Sequence, residues 1–340
     1  MLSDRRQRIL GALIEEYVSC ALPVGSRTLT ERYQLGVSPA TVRNDLSALE
    51  DAGYIRQPHT SAGRIPTDAG YRAFVDELLG SEELSAASPR SEVVEELRQS
   101  ATELDDLLER TSATLSRLTD CLSIVSAPSL FSAHIRQISL ISLTNRQALM
   151  VVVAEDGQTA DRALSFSEDV SADQLSAVQS RVNELFVGKT LVETDVDGEE
   201  VRALVTDEPL LRYVIDEALL CVRESGMGRA HKLGLGSLLM KPEFSDSSAL
   251  APVVDMIEDS AAFLSSLDRG SEGAGAAGDL LVRIGTENAA SALRPVSVVA
   301  GTYDRGEGEG IIAIVGPTRM NYGGIIRAVR MAQLVLNDEG

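Results

Sequence analysis

Val42, Leu46 and Leu49 recur at i, i+4 and i+7, one narrow apolar stripe on a helix whose opposite face carries Ala40, Asn44, Ser47 and Ala48, flanked by Thr41 and Arg43. The ends of that helix are signalled by Ser38 as N-cap, Pro39 at the first helical position and Gly53 just past the end. Upstream, Ile9, Leu10, Leu13, Ile14, Tyr17 and Val18 share one face of a helix beginning at Ser3, and Pro23 to Gly25 break the chain. A second short helix starts at Ser26 and stops at Gly36. Restarting at Ser38 leaves a turn of about three residues, a helix-turn-helix connection. Downstream, Tyr54 to Gln57 alternate as a strand, Pro58 to Gly63 turn, and Arg64 to Pro66 return, after which Thr67 caps a helix running to Leu79. The sum is a helix shaped to enter a DNA major groove beside a β-wing that grips the backbone, because small side chains on its outer face let backbone and bases come close.

Gly80 to Arg90 reads as a polar linker. Beyond it Val94, Leu97, Ala101, Leu104, Leu108, Thr111, Leu115, Leu118 and Leu122 step by three and four, a heptad seam that reads either as a long helix packed on its own domain or as a dimer coiled coil. Strand-like runs follow at 135–143 and 148–154, and others only much later, at 280–284, 296–303 and 310–315, before a closing helix from about Asn321 to Leu336. Two groups of strands around a largely helical stretch predict one α+β domain interrupted by an insertion.

The net charge of −20 at first argues against a nucleic-acid partner. Residues 1–79, however, hold nine Arg and no Lys against ten acidic side chains, so nearly all of the excess acid lies outside the DNA-reading segment. An acidic body repels DNA and weakens non-specific binding, so affinity should depend on two readers binding together. At 340 residues and 44% hydrophobic, the chain supports two or three domains. No apolar run is long enough to span a membrane and MLSDRRQRIL has no signal-peptide core, so the expected location is cytoplasmic. Cys20, Cys121 and Cys221 lie about a hundred residues apart and the three His are scattered, so neither a disulfide framework nor a metal site is expected.

Enzyme motifs fail on inspection. FVGKT at 186–190 lacks the first glycine of a phosphate-binding loop, since Asn183 stands in its place, and it follows a helix instead of a strand. GPTRMNYGG at 316–324 offers glycines and Arg319 near the start of the last helix, where an anion could sit, but reads better as a strand-turn-helix connection with Arg319 and Tyr322 in interdomain or dimer contacts. No catalytic dyad, ligand cluster or cofactor motif is legible.

GSRTL, VSPATVRNDLSALEDAGYI and QPHTSAGRIPTDAGYR near one end, with RIGTEN at 283–288 and IVGPTRMNY at 314–322 near the other, resemble the heat-inducible transcription repressors of the HrcA type. The stretch from Pro23 to Arg72 is specific to that family, and the middle of the chain resembles it only loosely. The resemblance implies a winged helix-turn-helix at 1–79, a linker at 80–90, and a GAF-like domain whose parts at 91–165 and 275–340 are split by an inserted dimerisation domain at 166–274. That insertion would hold helices near 172–187, 199–207, 209–224 and 249–268, a short strand pair around 230–240, and a flexible exit at Ser271 to Asp279. DNA contacts are expected from Ser26, Arg27 and Thr28 at the start of the second helix, from Ser38, Ala40, Thr41, Arg43, Asn44 and Ser47 on the third, and from His59, Thr60, Ser61 and Arg64 in the wing. The resemblance also implies a homodimer on an inverted-repeat operator upstream of chaperone genes, with activity set by chaperonin availability. A repressor controlled by a small metabolite held in the GAF-like domain is the alternative.

Overall fold

The computed structural model describes residues 2–59, 62–81, 104–128, 130, 133–155, 157–190, 208–225, 230–244, 247–259, 263, 266–267, 276–277, 280–305 and 308–337. The expected helix at 199–207, the heptad positions Val94, Leu97 and Ala101, and the wing residues Thr60 and Ser61 lie outside them.

Four helices and a wing form the N-terminal unit. Helix α1 (Asp4–Cys20) begins after Ser3, α2 spans Ser26–Arg32, and α3 spans Pro39–Asp51, where the Ser38 side chain accepts the Thr41 N–H at 3.2 Å. Strands β1 (Ile55–Arg56) and β2 (Ile65–Pro66) pair antiparallel, and α4 (Asp68–Gly80) starts with Thr67 accepting the Gly70 N–H. Helix α2 ends at Arg32, four residues short of the expected stop at Gly36, so the turn before α3 is longer than three residues. Tyr33 is already extended, Tyr33 and Leu35 tuck against the core, and Gly36 turns the chain at a φ of 69°.

The body is a six-stranded antiparallel sheet in the order β7-β3-β11-β10-β9-β8, where β3 is Leu122–Val125, β7 His231–Leu233, β8 Ala276–Ala277, β9 Leu280–Ile284, β10 Val296–Arg305 and β11 Gly308–Pro317. Both faces are covered, so the strands alternate between two apolar layers rather than between core and water. Ile312 and Ile314 join Val125, Val282 and Val299 under α5 (Leu104–Thr119) and α10 (Tyr322–Leu336). Ala313 and Val315 join Ile124, Val298 and Ala300 beneath Phe244, Val253 and Ile257, the last two from α9 (Ser247–Glu258). The two readings of the heptad seam separate here. Leu108, Thr111 and Leu115 are buried against the chain's own body, beside α10, and Leu122 is already in a strand. Of the two readings of that seam, the helix packed on its own domain is the one adopted over Leu104–Thr119.

A correction concerns the strands expected to complete the main sheet. Strands β4 (Ile135–Thr144), β5 (Gln147–Ala154) and β6 (Thr159–Ser165) form a separate three-stranded meander. It packs on α6 (Ala172–Phe186) and α7 (Pro209–Glu224), and their shared core draws on residues from Leu130 to Val222. The physical reason is proximity: β6 offers β5 a partner a few residues away, registering Met150 against Arg162, before any distant strand can compete. The expected boundary at 165/166 therefore runs through a core. Nor is there a strand pair at 230–240: β7 pairs with β3 in the main sheet, and α8 (Leu235–Leu239) follows at once. The chain leaves the main sheet after Val125 and returns to it at His231.

Candidate nucleic-acid interface

Val42, Leu46 and Leu49 are fully buried and seat α3 on α1 and α2, which leaves Ala40, Arg43, Asn44 and Ser47 exposed on the outer face. Two of the polar side chains there are locally engaged. Ser47 Oγ donates to the Arg43 carbonyl at 3.2 Å, and the half-buried Thr41 places its hydroxyl 3.0 Å from Ser38 Oγ. Asn44 and Arg43 thus carry the longer polar groups that this face turns to solvent.

The orientation of α3 depends on a side chain that sequence reasoning missed. Asp45 is 3% exposed, and its carboxylate accepts from Arg5 Nε at 2.8 Å, Arg5 Nη2 at 3.2 Å and Arg6 Nε at 3.3 Å, all from α1. The Arg5 hydrogen bond, with that of Arg6, holds this carboxyl below the usual carboxylate range against the opposing effect of burial. A signal existed: an acid beside an apolar stripe, near a helix that opens with two arginines. A similar tie joins α1 to α2, where the buried Glu16 accepts from Arg32 at 2.6 Å.

At the start of α2, Ser26 and Thr28 are half-buried, and the exposed Arg27 pairs with Glu31 one turn along at 2.7 Å. In the wing, His59 is exposed. Arg64 departs from expectation. Its side chain, 18% exposed, turns inward and its guanidinium reaches Glu50 at 3.0 Å, while its backbone bridges Val24 through bonds of 2.9 and 2.8 Å. Arg64 therefore ties the wing to α3, and the outward cation of the wing is Arg56, which follows the buried Ile55 on β1.

Arg319 and Tyr322 lie on the body side of the N-terminal unit. Arg319 Nη1 donates to the Val18 carbonyl of α1 at 2.8 Å, and its Nε donates to Glu243 at 2.6 Å. The buried Tyr322 ring stands 5.7 Å from that of Tyr71 on α4, with its hydroxyl on Ser297 Oγ and the Thr318 carbonyl, both at 2.8 Å. The N-terminus of α10 is filled from within, since Asn321 Oδ1 accepts the Gly324 N–H at 3.0 Å. Cys121 and Cys221 are buried free thiols, each pushed up to about 11 by desolvation, which is the behaviour of core side chains rather than nucleophiles. Among the described residues no group of three or more His, Cys, Asp or Glu is placed to hold a metal ion.

With this geometry in place, comparison with known proteins is informative. Residues 27–67 match the DeoR-like helix-turn-helix domain, and residues 105–326 match the HrcA protein C terminal domain. The chain is 38% identical to the heat-inducible transcription repressor HrcA of Frankia casuarinae and 37% identical to that of Nocardioides sp., in each case over 97% of this chain and 96% of the relative. A crystal structure of a hypothetical protein at 2.2 Å resolution superposes with a TM-score of 0.59 at 25% identity, covering 99% of both chains. By these matches the chain belongs to the HrcA family of heat-inducible transcription repressors, a family of repressors and not of enzymes.

Proposed function

We propose that two copies of this chain repress chaperone genes by binding an inverted-repeat operator, each placing α3 in a major groove with the wing beside it. The observation that carries this is the outer face of α3, where small side chains surround Asn44 and Arg43. In this reading Asn44 and Arg43 read base edges, while Ala40, Thr41 and Ser47 permit close approach. Ser26, Arg27, Thr28 and Ser38 approach phosphates, joined in the wing by His59, Thr60, Ser61 and Arg56. Arg64 acts at one remove, by placing the wing. The pairing surface is assigned to the unit built from β4 to α7 instead of to 166–274. That unit has its own core and leaves Ile141, Leu143, Val187 and Leu220 exposed. The body fits the GAF-like description in having an antiparallel sheet between helical layers, and the site of action is the cytoplasm. No helix among the described residues is long and apolar enough to cross a membrane.

Control by chaperonin is supported by topology. Strands β4 to β6 pair locally, so the slow step is not theirs. It lies in the main sheet, where Leu122 of β3 must find Val315 of β11, and Val125 must find His231 of β7. Until the last third of the chain is made, β3 has neither neighbour, and buried residues such as Ile124 and Val125 stay open. Such an intermediate is what a chaperonin captures. When damaged proteins occupy the chaperonin, fresh repressor stays inactive and its target genes are transcribed. Repressor diluted from denaturant should regain operator binding much faster with chaperonin and ATP than without. Equal recovery in both, with activation by a small metabolite instead, would overturn this mechanism.

A further inference from the structure

The two motifs RIGTEN and TDAGYR have no part in the DNA face, yet the fold brings them together. Helix α4, the last element of the reader, lies against the turn after β9, where Arg72 enters the body with its side chain 16% exposed. Arg72 Nε donates to Glu287 Oε1 at 2.7 Å, its Nη2 donates both to the other Glu287 oxygen and to the Val282 carbonyl, the latter at 2.7 Å. Glu287 is itself held, since its Oε2 accepts the Ile284 N–H at 2.9 Å. One turn earlier on α4, Asp68 Oδ2 accepts both the N–H and the hydroxyl of Thr286, at 3.0 and 2.9 Å. Gly285 makes this approach possible: at a φ of 52°, a Cβ there would lie 2.5 Å from the Asp68 carboxylate. Between these two points the Tyr71 and Tyr322 rings pack, and Arg319 reaches the end of α1.

A reader needs one flexible tether to find a half-site. It needs several directional bonds on one helix face only if its angle to the body matters. A bidentate arginine-carboxylate pair fixes direction as well as distance, and a partly buried one resists exchange with water. We propose that Arg72, Glu287, Asp68 and Thr286 form a clamp that fixes the reader's orientation on the body, and thereby determines which spacing between operator half-sites the repressor accepts. The proposal rests on the reading that two copies bind an inverted repeat. With rigid readers, adding a base pair between half-sites rotates and shifts one reader away from its groove, and the DNA must be twisted or bent to restore contact. With loosened readers, the protein absorbs the change.

The test uses the full-length chain and a set of operators with one or two base pairs added or removed at the centre, alongside a single half-site. The wild type should lose about tenfold or more in affinity on leaving its preferred spacing. Glu287→Ala should flatten this dependence to within about threefold while leaving single half-site affinity unchanged. Thr286→Val, which removes one hydrogen bond and strands no buried charge, should lie between the two and guards against loss of fold in the first variant. Sedimentation run in parallel separates the two claims. A dimer whose wild-type form accepts every spacing equally, or folded variants as strict as wild type, would overturn the clamp alone. A wild-type monomer with no spacing preference would overturn both the clamp and the dimeric reading beneath it.

Discussion

Leu46→Ala is expected to lower the stability of the chain by about 2–5 kcal/mol and to abolish operator binding on every sequence alike. Leu46 is fully buried at the centre of the stripe that seats α3, and it belongs to the same contiguous core as Ile9, Leu29 and Val42. Truncation removes its apolar contacts and leaves a cavity that three short helices cannot close without tilting α3. Set against a typical domain stability of about 5–15 kcal/mol, the loss is a large fraction of the whole. Thermal unfolding followed by circular dichroism, with binding measured on operator and on unrelated DNA, checks both halves. A variant that melted as wild type or kept full operator affinity would show that α3 is not held by this stripe.

Asn44→Ala should do the opposite. Its side chain is exposed, so stability should change by no more than about 0.5 kcal/mol. Specificity should change by about 1–3 kcal/mol at one position of each half-site, because an asparagine amide can bond an adenine edge at two points and alanine at none. Selecting bound sequences from a pool randomised across both half-sites would show relaxed preference at a symmetry-related pair of positions, with the others intact. Unchanged preference at every position would remove the outer face of α3 from base readout. The contrast matters: one helix carries a residue whose loss unseats it and, two positions away, one whose loss only blurs what it reads.

What could be read from the residues, and what could not, follows the range of the forces involved. The caps of α3 and α4 were legible because Ser38 and Thr67 bond N–H groups three residues on, a purely local event. The stripes of α1 and α3 were legible because one face is buried and the other wet. Strand β3 was not, because all four of its residues are buried and LSIV continues the apolar steps of the helix before it. The partners of β4 and β5 were misjudged for lack of β6, whose polar Asp161 and Arg162 obscure its alternation. Within the site, identity of residue was easier than engagement. Arg64 reads as a wing cation, and only the fold reveals Glu50 beside it. Asp45 reads as surface charge, and only the placement of Arg5 and Arg6 turns it into the carboxylate that orients α3. Arg72 and Glu287, far apart in the chain, could be singled out by motif but not paired.

On this reading the outer face of α3 recognises an inverted repeat, one half-site per copy. The deciding measurement is a footprint of the full-length chain on the promoters of its own organism's chaperone genes, with methylation interference at guanine N7 in the major groove and adenine N3 in the minor groove. The predicted result is two protected half-sites related by a dyad, each with guanine N7 interference in the major groove that fades in the Arg43→Ala protein. Protection of a single unrepeated site, or interference confined to adenine N3 in the minor groove and unaffected by Arg43→Ala, would contradict it.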